Sequence, residues 1–325
     1  MTIRGIRARR ALGMGLAVAS LLVGAACSNS SPAGGSGGTS NGGGGSKGTI
    51  NLSGQDFGEM QIMASMYQQI LENAGYTVNV KLVTTRDVYV AQLTSGGVDV
   101  APDYLAAMAD FLNSQANGAN APLISSHSPT KTLAALKPLA AKAHITMLSP
   151  ASATDQNAFV VTTAFAKKHN LKTLSDLAAL HLPITLAAPT DCQGRSDCEG
   201  GLTGVYHLNI VKIIPLDFDS AQAKDSVTSG ESQLGEVGTT DGALAQEGLQ
   251  ILQDDKGIQP AENLIPAVNS TFINAHPDVA TLLNKLSATL TTPELAAMDL
   301  KVAVNRAKPS DVAKAYLDSK GLLSS

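Results

Sequence analysis

Between residues 49 and 101, the spacing of hydrophobic residues switches several times between every second position and helical spacing. Apolar residues occur at every second position over 49–53, 78–83 and 98–101, which is typical of strands. Between them, residues 62–71 and 88–95 carry apolar side chains at helical spacing. The order strand, helix, strand, helix, strand predicts an α/β sheet whose strands are mainly parallel.

A second α/β set follows, and the last third of the chain is mainly helical. Extended segments are expected near 146–150 and 158–163, beyond a helix at 132–142. The second set runs through residues 173–180, 184–187, 201–206, 212–216 and 236–239, and the C-terminal helices through 277–290, 292–298 and 311–317. This length and order are sufficient for two lobes.

The N-terminus has the features of an export signal. Four arginines precede an apolar run at 11–26, which is short, rich in glycine and ends in small residues before Cys27. We therefore expect a signal peptide over residues 1–26. The residues before Cys27 resemble a bacterial lipobox, which implies an acylated cysteine and an exported protein anchored to the plasma membrane by lipid. Ordinary secretory cleavage beside an unrelated cysteine is the alternative.

Residues 27–48 would then form a lipid-anchored linker. The segment consists almost entirely of Gly, Ser, Asn, Thr, Pro and Ala, so it cannot build a core. A flexible chain of this length has an r.m.s. reach of roughly 25 Å. We expect it to hold a globular body at the cell surface.

Charge and motifs argue against several classes of function. The formal net charge is −4, and loss of the four N-terminal arginines would make it −8. An acidic body without a basic stripe argues against nucleic-acid binding. The six histidines show no metal-ligand spacing, and no catalytic or nucleotide-binding motif is present. We expect a monomeric binding protein without cofactor or metal; an exported enzyme and a surface scaffold lipoprotein are the alternatives.

Two cysteines remain in the body, Cys192 and Cys198, within a polar stretch. In an oxidising compartment a local disulfide is the simplest interpretation. A metal site is a weaker rival, because two cysteines without further ligands do not make a zinc signature.

Five segments together resemble one protein family. They are Gly-Gln-Asp-Phe-Gly-Glu at 54–59, Ser-Gly-Gly-Val-Asp-Val-Ala-Pro-Asp-Tyr at 95–104, Gly-Leu at 201–202 followed by Tyr206, Thr-Asp-Gly at 240–242, and Leu-Gln-Asp-Asp-Lys at 252–256. In order and spacing they are similar to the substrate-binding proteins of osmoprotectant ABC importers, which take up glycine betaine, choline, carnitine and related quaternary amines.

The resemblance implies a two-lobed α/β fold of the type II periplasmic-binding-protein class, with two crossing strands as the hinge. Lobe 1 would comprise 49–153 and 257–325, and lobe 2 would comprise 154–256. Closure around a small ligand would be a hinge motion. The implied partners are an ABC permease and its ATPase.

The resemblance also implies an aromatic pocket between the lobes, because a quaternary ammonium has no N–H and is bound by aromatic faces instead. The candidate ligand-binding residues are Tyr104, Phe159, Tyr206, Asp103, Tyr89, Phe57, Thr239 and Thr240. Ala101 and Gly238 stand where this family commonly has aromatic residues. Without aromatic side chains at these two positions the pocket would be wider. The alternative is therefore a pocket for a bulkier or a neutral aromatic ligand.

Overall fold

The computed structural model describes residues 47–323, so the signal peptide, Cys27 and nearly all of the linker lie outside the described residues. The strands are β1 Thr49–Leu52, β2 Thr77–Val80, β3 Val100–Tyr104, β4 Ile145–Met147, β5 Asn157–Thr162, β6 Pro183–Ala188, β7 Asn209–Pro215, β8 Leu234–Gly238, β9 Leu249–Leu252 and β10 Leu264–Asn269. The helices are α1 Gly58–Asn73, α2 Arg86–Ser95, α3 Leu105–Asn117, α4 Pro129–Lys142, α5 Thr163–His169, α6 Leu174–Ala178, α7 Glu199–Gly204, α8 Ala221–Thr228, α9 Ser270–Ala275, α10 Pro277–Thr289, α11 Thr292–Ala303 and α12 Pro309–Ser319.

The strands form two sheets of five with the same plan. The first has the order β2-β1-β3-β10-β4, in which β1 runs parallel to β2 and β3, and β10 runs antiparallel to β3 and β4. The second has the order β7-β6-β8-β5-β9, in which β6 runs parallel to β7 and β8, and β5 runs antiparallel to β8 and β9. Each sheet is therefore mixed: the first three strands in each order are parallel, and the pairings of the fourth strand are antiparallel.

Several strands differ in extent from the sequence prediction, and β9 and β10 were not predicted. The segment 78–83 is a strand only as far as Val80, after which Val83 makes a separate bridge to Gln55. The strand predicted over 98–101 is shifted toward the C-terminus, since β3 begins at Val100 and ends at Tyr104. The reason is long-range pairing: the last residues of β3 pair with β10, as in Leu264 opposite Tyr104.

Two segments connect the sheets, one between β4 and β5 and the other between β9 and β10. They pair with each other, since Thr154 and Asn263 form an antiparallel bridge and the amide of Asp155 donates to the carbonyl of Glu262 at 3.1 Å. We call them the outgoing and the return crossing. The expected two-lobed architecture with paired crossings is thus present.

The chain returns to the first lobe and completes it with the C-terminal helices. Helices α10, α11 and α12 pack against α1. Tyr67 and Leu71 of α1 are fully buried there, together with Leu283 of α10 and Leu317 of α12. This packing fixes the N-terminal end of α1 and the middle of α11 on one side of the space between the lobes.

Cys192 and Cys198 are joined in a disulfide with an S–S distance of 2.07 Å. Within residues 47–323 they are also, with Glu236, the one cluster of potential metal ligands, but in the disulfide neither sulfur is a free thiolate. Across the same residues, no helix combines the length and apolar character that crossing a membrane requires.

Candidate functional site

The lobes face each other where the crossings run, and a cavity of about 250 Å³ lies at that point. Tyr104 reaches it from the end of β3, and Asn157 from the start of β5. Asp155 and Glu262 reach it from the two crossings. In open α/β sheets, ligands bind beyond the carboxyl ends of the strands. The cavity lies where that rule places a ligand.

Tyr104 stacks on a second aromatic ring from the loop before α1. The ring centroids of Tyr104 and Phe57 are 6.5 Å apart, and the planes differ by 9°. The Tyr104 hydroxyl donates a hydrogen bond to Oε1 of Glu59 in the first turn of α1. Phe57 remains 39% exposed, so one aromatic surface of this stack is open to a ligand.

A larger cavity of about 580 Å³ adjoins this stack, and we call it the acidic cavity. Phe57 lines it, and apolar residues of α11 form part of its wall. Among the residues that the structure describes, Lys224 is the single basic one in its lining. The acidic residues of the lining are Glu59, Asp155, Asp219, Asp241, Glu247 and Asp299. They come from both lobes and from the outgoing crossing, so the cavity spans the cleft and favours positive charge.

Three of these carboxyls, those of Glu59, Asp155 and Asp299, interact with one another, and no basic residue among 47–323 forms an ion pair with them. Burial raises the pKa of Glu59, and the nearby charges of Asp155 and Asp299 raise it further. Burial raises the pKa of Asp299 to about 7, and that of Asp155 is raised for the same reason. Ionised carboxylates in such a place repel one another, so each additional charge there is unfavourable unless a cation is present.

Lys224 neutralises the opposite side of the acidic cavity. Its ammonium lies 2.7 Å from Oδ2 of Asp241, 3.2 Å from Oε2 of Glu247 and 3.9 Å from Oδ1 of Asp219. Burial nevertheless raises the pKa of Asp219 to about 7, and the charge of Asp241 acts in the same direction. One lysine therefore does not balance the carboxylates of this lobe.

Phe159 does not reach the stack. It lies in the middle of β5 and is 1% exposed, within a core cluster that includes Leu174 and Leu252. Phe159 lines a different cavity of about 570 Å³, which shares Gln156, Asn157 and Gln259 with the cavity at Tyr104. The structure therefore does not bring Phe159 together with Tyr104 in one cavity.

Tyr206 is also 1% exposed and lies in the same core cluster. Its hydroxyl donates to Oδ1 of Asp254 at 2.5 Å and accepts the amide hydrogen of Lys256 at 2.7 Å. Asp254 in turn accepts hydrogen bonds from the amides of Gly257 and Ile258, both at 3.0 Å. These contacts shape the start of the return crossing, and Tyr206 borders neither interlobe cavity described above.

Asp103 and Tyr89 belong to a hydrogen-bond network that supports the backbone of Tyr104. The Arg86 guanidinium donates to Asp103 Oδ1 at 3.0 and 3.1 Å, and the Tyr89 hydroxyl donates to Asp103 Oδ2. The amide of Tyr104 donates to Oδ1 at 2.7 Å. The carboxylate of Asp103 is thus fully engaged within lobe 1, and Tyr89 is buried with it.

The two threonines after β8 attach that strand to the outgoing crossing. Thr239 Oγ1 accepts the amide hydrogen of Gln156 at 2.9 Å and donates to the carbonyl of Thr154 at 3.1 Å. Thr240 Oγ1 donates to Oδ1 of Asp155 at 3.0 Å and lines the acidic cavity. Thr240 therefore faces the acidic cavity, whereas the hydroxyl of Thr239 is occupied by the outgoing crossing.

Ala101 and Gly238, where the resemblance led us to expect aromatic residues, differ from each other in their surroundings. Ala101 is fully buried in a core of lobe 1, so its small size does not widen the cleft. Gly238 faces the cleft, because a Cβ there would lie 3.5 Å from Asp219 Oδ2 and 3.6 Å from Asp155 Oδ1. The ring of Phe218 lies 3.8 Å from the same point. An aromatic side chain from the loop after β7 thus approaches the space that the glycine leaves.

Sequence reasoning did not select Phe218, Glu59, Asp155 or Asp299. Phe218 is 45% exposed between two aspartates, a pattern that resembles an ordinary surface loop. The three carboxyls come from α1, the outgoing crossing and α11, which are far apart in the sequence. The one available signal was Glu59, which stands within a segment that carries the family resemblance.

Comparison with known proteins gives relatives that match most of the chain. The glycine-betaine-binding protein of Pseudomonas aeruginosa is 24% identical over 289 residues, covering 85% of this chain and 89% of the relative. The glycine betaine-binding protein YehZ of Escherichia coli is 25% identical over 272 residues, covering 81% and 88%. The carnitine transport binding protein OpuCC of Listeria monocytogenes is 24% identical over 277 residues, covering 84% and 87%.

Solved structures agree at the level of the fold. The apo structure of YehZ from Escherichia coli superposes with a TM-score of 0.73 at 24% identity, covering 84% of this chain and 99% of that one. The predicted two-lobed α/β fold of the type II class is confirmed. The model of the substrate-binding domain of ABC-type glycine betaine transport systems matches residues 48–319. The chain belongs to this family, whose members are binding proteins of ABC importers and not enzymes, as the sequence predicted.

Proposed function

We propose that this protein captures a small organic cation between its lobes, outside the cytoplasmic membrane, and delivers it to an ABC permease. Choline, glycine betaine and carnitine are the first ligands to consider, since relatives are named for the last two. All three carry a quaternary ammonium, but choline alone is a net cation, because glycine betaine and carnitine also carry a carboxylate. The observation that carries the proposal is the acidic cavity, which spans the cleft with one lysine among six carboxyls. Charge complementarity of this kind favours a cation over a neutral or anionic solute.

The Phe57–Tyr104 stack supplies the aromatic part of the site. A cation over an aromatic face gains about 0.5–1 kcal/mol at exposed sites and more when water is excluded. Phe57 lines the acidic cavity itself, so a single ligand can contact its ring and the carboxylate of Glu59. The aromatic contribution thus comes from one stack in lobe 1 rather than from a cage of rings drawn from both lobes.

Closure follows from the distribution of these residues over both lobes. Phe57, Glu59 and Asp299 belong to the first lobe, whereas Thr240 and Asp219 belong to the second. A ligand that contacts both sides binds the closed form better than the open form, and so shifts the population toward closure. The permease would then distinguish the loaded protein by its shape.

The N-terminal segment supports attachment to the membrane. The lipobox-like sequence before Cys27 and the Gly/Ser-rich linker at 27–48 would keep the binding protein near its permease. The linker adds reach without a fixed orientation. Lipid anchoring is therefore part of the proposal.

A bulkier ligand is the second candidate, and the volume of the acidic cavity favours it. About 580 Å³ is within the range that pockets for drug-sized ligands occupy, and it exceeds the need of a betaine. The space opens beside Gly238, where the family commonly has an aromatic residue.

A thermal-shift screen separates these possibilities. A ligand that binds only the native state raises the melting temperature by an amount set by its concentration relative to Kd. The set comprises betaines, choline, carnitine, amino acids, diamines and flat neutral aromatic compounds. Stabilisation is expected from compounds that carry a cationic ammonium group, and most strongly from those without a carboxylate. Stabilisation by neutral aromatic compounds alone would contradict the proposal and favour the second candidate.

A further inference from the structure

Two pairs of carboxyl groups border the acidic cavity, one pair on each lobe. On the first lobe the side chains of Glu59 and Asp299 lie within hydrogen-bonding reach of each other, where α1 and α11 pack together. On the second lobe Asp219 and Asp241 form the corresponding pair. All four residues line the cavity. A ligand that enters the cleft therefore meets a carboxyl pair on either side.

A hydrogen bond between two carboxyl groups requires a proton. Ionised carboxylates carry acceptors only, so two of them form such a bond when one holds a proton and donates it. Oε2 of Glu59 and Oδ1 of Asp219 are buried, and among residues 47–323 they find no donor other than the paired carboxyl. A shared proton therefore stabilises each pair in the ligand-free protein.

The first-lobe pair has no basic partner among the described residues. It faces Asp155 of the outgoing crossing, and the hydroxyl of Tyr104 on β3 donates to Glu59. Burial raises the pKa of Asp299 to about 7, and burial also raises that of Glu59. Because the two carboxyls interact, the pair titrates as a unit and retains a proton up to about neutral pH.

The second-lobe pair has a basic neighbour and still retains a proton. The Lys224 ammonium lies 2.7 Å from Asp241 Oδ2 but 3.9 Å from Asp219 Oδ1. It also contacts Oε2 of Glu247 at 3.2 Å. One lysine shared among three carboxyls leaves Asp219 the least compensated, and burial together with the charge of Asp241 raises the pKa of Asp219 to about 7. Below about pH 7 this side chain therefore holds a proton.

A permanent cation competes with these protons. A quaternary ammonium ion stabilises ionised carboxylates by its charge, whereas a protonated pair offers it less negative charge. Competition of this kind is reciprocal, so the cation lowers the affinity of the pairs for protons and protons lower the affinity for the cation.

We infer, on the basis of the proposed function, that the acidic cavity exchanges protons for its ligand: capture of a quaternary ammonium ion releases protons to the solvent from the Glu59–Asp299 and Asp219–Asp241 pairs, and acidification weakens capture. The exchange involves both lobes, because each contributes one pair to the cavity. The affinity for the cation then rises with pH until the pairs have lost their protons.

Calorimetry of choline binding to the purified full chain counts these protons. Choline has no group that titrates near neutral pH, so each proton exchanged comes from the protein. Titrations at about pH 6.5 in phosphate, PIPES and ACES, none of which carries a net positive charge, give the number of protons from the slope of binding enthalpy against buffer ionisation enthalpy. We expect release of about one proton per choline, and an affinity that rises about tenfold between about pH 5.5 and 7.5. If the screen identifies a tighter quaternary ammonium compound, it replaces choline.

Two substitutions distinguish the cavity from other buried carboxyls. Asp299→Asn removes one member of the first-lobe pair and should reduce the number of protons released to about half. Glu236→Gln is the matched control, because burial also raises the pKa of Glu236 to about 7 although this residue does not line the acidic cavity. It should leave proton release unchanged. If Asp299→Asn does not fold, Asp219→Asn makes the same test from the other lobe.

The outcomes separate the inference from the proposed function. Choline binding without proton release, at one affinity from about pH 5.5 to 7.5, would overturn the inference and leave a cation-binding cleft. An equal reduction of proton release in Asp299→Asn and Glu236→Gln would also overturn it, because the protons would then not come from the cavity. If no quaternary ammonium compound binds at any pH in this range, the proposed function is lost as well.

Discussion

The Tyr104 hydroxyl donates its hydrogen to Oε1 of Glu59, and this single bond joins the aromatic stack to the acidic cavity. The same tyrosine packs its ring on Phe57, which lines that cavity. A ligand cation that approaches the Phe57 ring therefore also approaches a carboxylate whose position the neighbouring tyrosine fixes. In the proposed site, the ring and the carboxylate would act on the ligand together, because this hydrogen bond couples their positions.

Two phenylalanines should respond to truncation in opposite ways. Phe159→Ala should lower the free energy of unfolding by about 3–5 kcal/mol, because the ring is 1% exposed in the core of lobe 2. Phe57→Ala should leave unfolding almost unchanged and weaken cation binding by about 0.5–1 kcal/mol. Denaturant unfolding and calorimetry measure the two effects. A Phe159→Ala protein of normal stability that has lost its ligand would show that Phe159 is a pocket wall.

Asp299→Asn should stabilise the ligand-free protein at neutral pH. The pKa of Asp299 is raised from 3.8 to about 7 by burial and by Asp155, so the folded state holds a proton that the unfolded state releases. Its ionisation therefore costs stability increasingly as the pH rises from about 4 to about 7. We expect a gain of about 1–3 kcal/mol at pH 8 that vanishes near pH 4.

Asp278→Asn is the matched control, because the Lys47 ammonium lowers the pKa of that carboxyl. It should not be stabilising at pH 8. Melting temperatures measured from pH 4 to pH 8 test both variants. A gain of stability in Asp299→Asn that is equal at the two ends of this range would contradict the account of its buried carboxyl.

Tyr206→Phe should loosen the hinge without removing a ring from the core. The substitution deletes the hydrogen bond to Asp254 and leaves the amide of Lys256 without its acceptor. We expect a loss of about 1–2 kcal/mol in stability. Hydrogen exchange should increase at the amides of Gly257 and Ile258, which Asp254 also holds.

Tyr316→Phe provides a comparison for Tyr206→Phe, since its hydroxyl makes only long contacts of 3.3 and 3.4 Å within lobe 1. It should leave exchange in the return crossing unchanged. Equal exchange in wild type and Tyr206→Phe would show that the hydroxyl does not hold the hinge.

Cys27→Ser should release the protein from the membrane fraction of cells that express the full chain. The expectation rests on the lipobox-like residues and on the linker at 27–48. A serine has no thiol to which the lipid could be attached, so the lipid is lost while the rest of the signal sequence is kept. Fractionation followed by immunoblotting measures the distribution. Retention of Cys27→Ser at the wild-type level would exclude the lipid anchor.

Strands β9 and β10 were not predicted from the sequence. Most of the strands before them were predictable, because period and breaker residues are local properties of the sequence. The extent of β3 was not, since its last residues become a strand only by pairing with β10 across the lobe. The same holds for the pocket. Asp299 lies on a helix whose sequence resembles an ordinary amphipathic surface, and only the packing of α11 on α1 brings it to Glu59.

The family resemblance was informative about architecture and less so about individual rings. It selected Tyr104, which reaches the cleft, and Tyr206, which is turned toward the return crossing. Whether a tyrosine lies at the cleft or supports the return crossing depends on its hydrogen-bond partner. That partner is distant in sequence in both cases: Glu59 for Tyr104 and Asp254 for Tyr206. Spacing along the chain does not contain that information.

The most direct test of the central claim is whether binding depends on the positive charge of the ligand. Calorimetry would compare the tightest cation of the screen with its uncharged carbon analogue of the same shape, using wild type and Asp155→Asn. A cation held by Glu59, Asp155 and Asp299 should bind wild type at least about tenfold more tightly than the analogue, and the difference should shrink in the variant. Equal affinities of the cation and its neutral analogue for the wild-type protein would contradict the account.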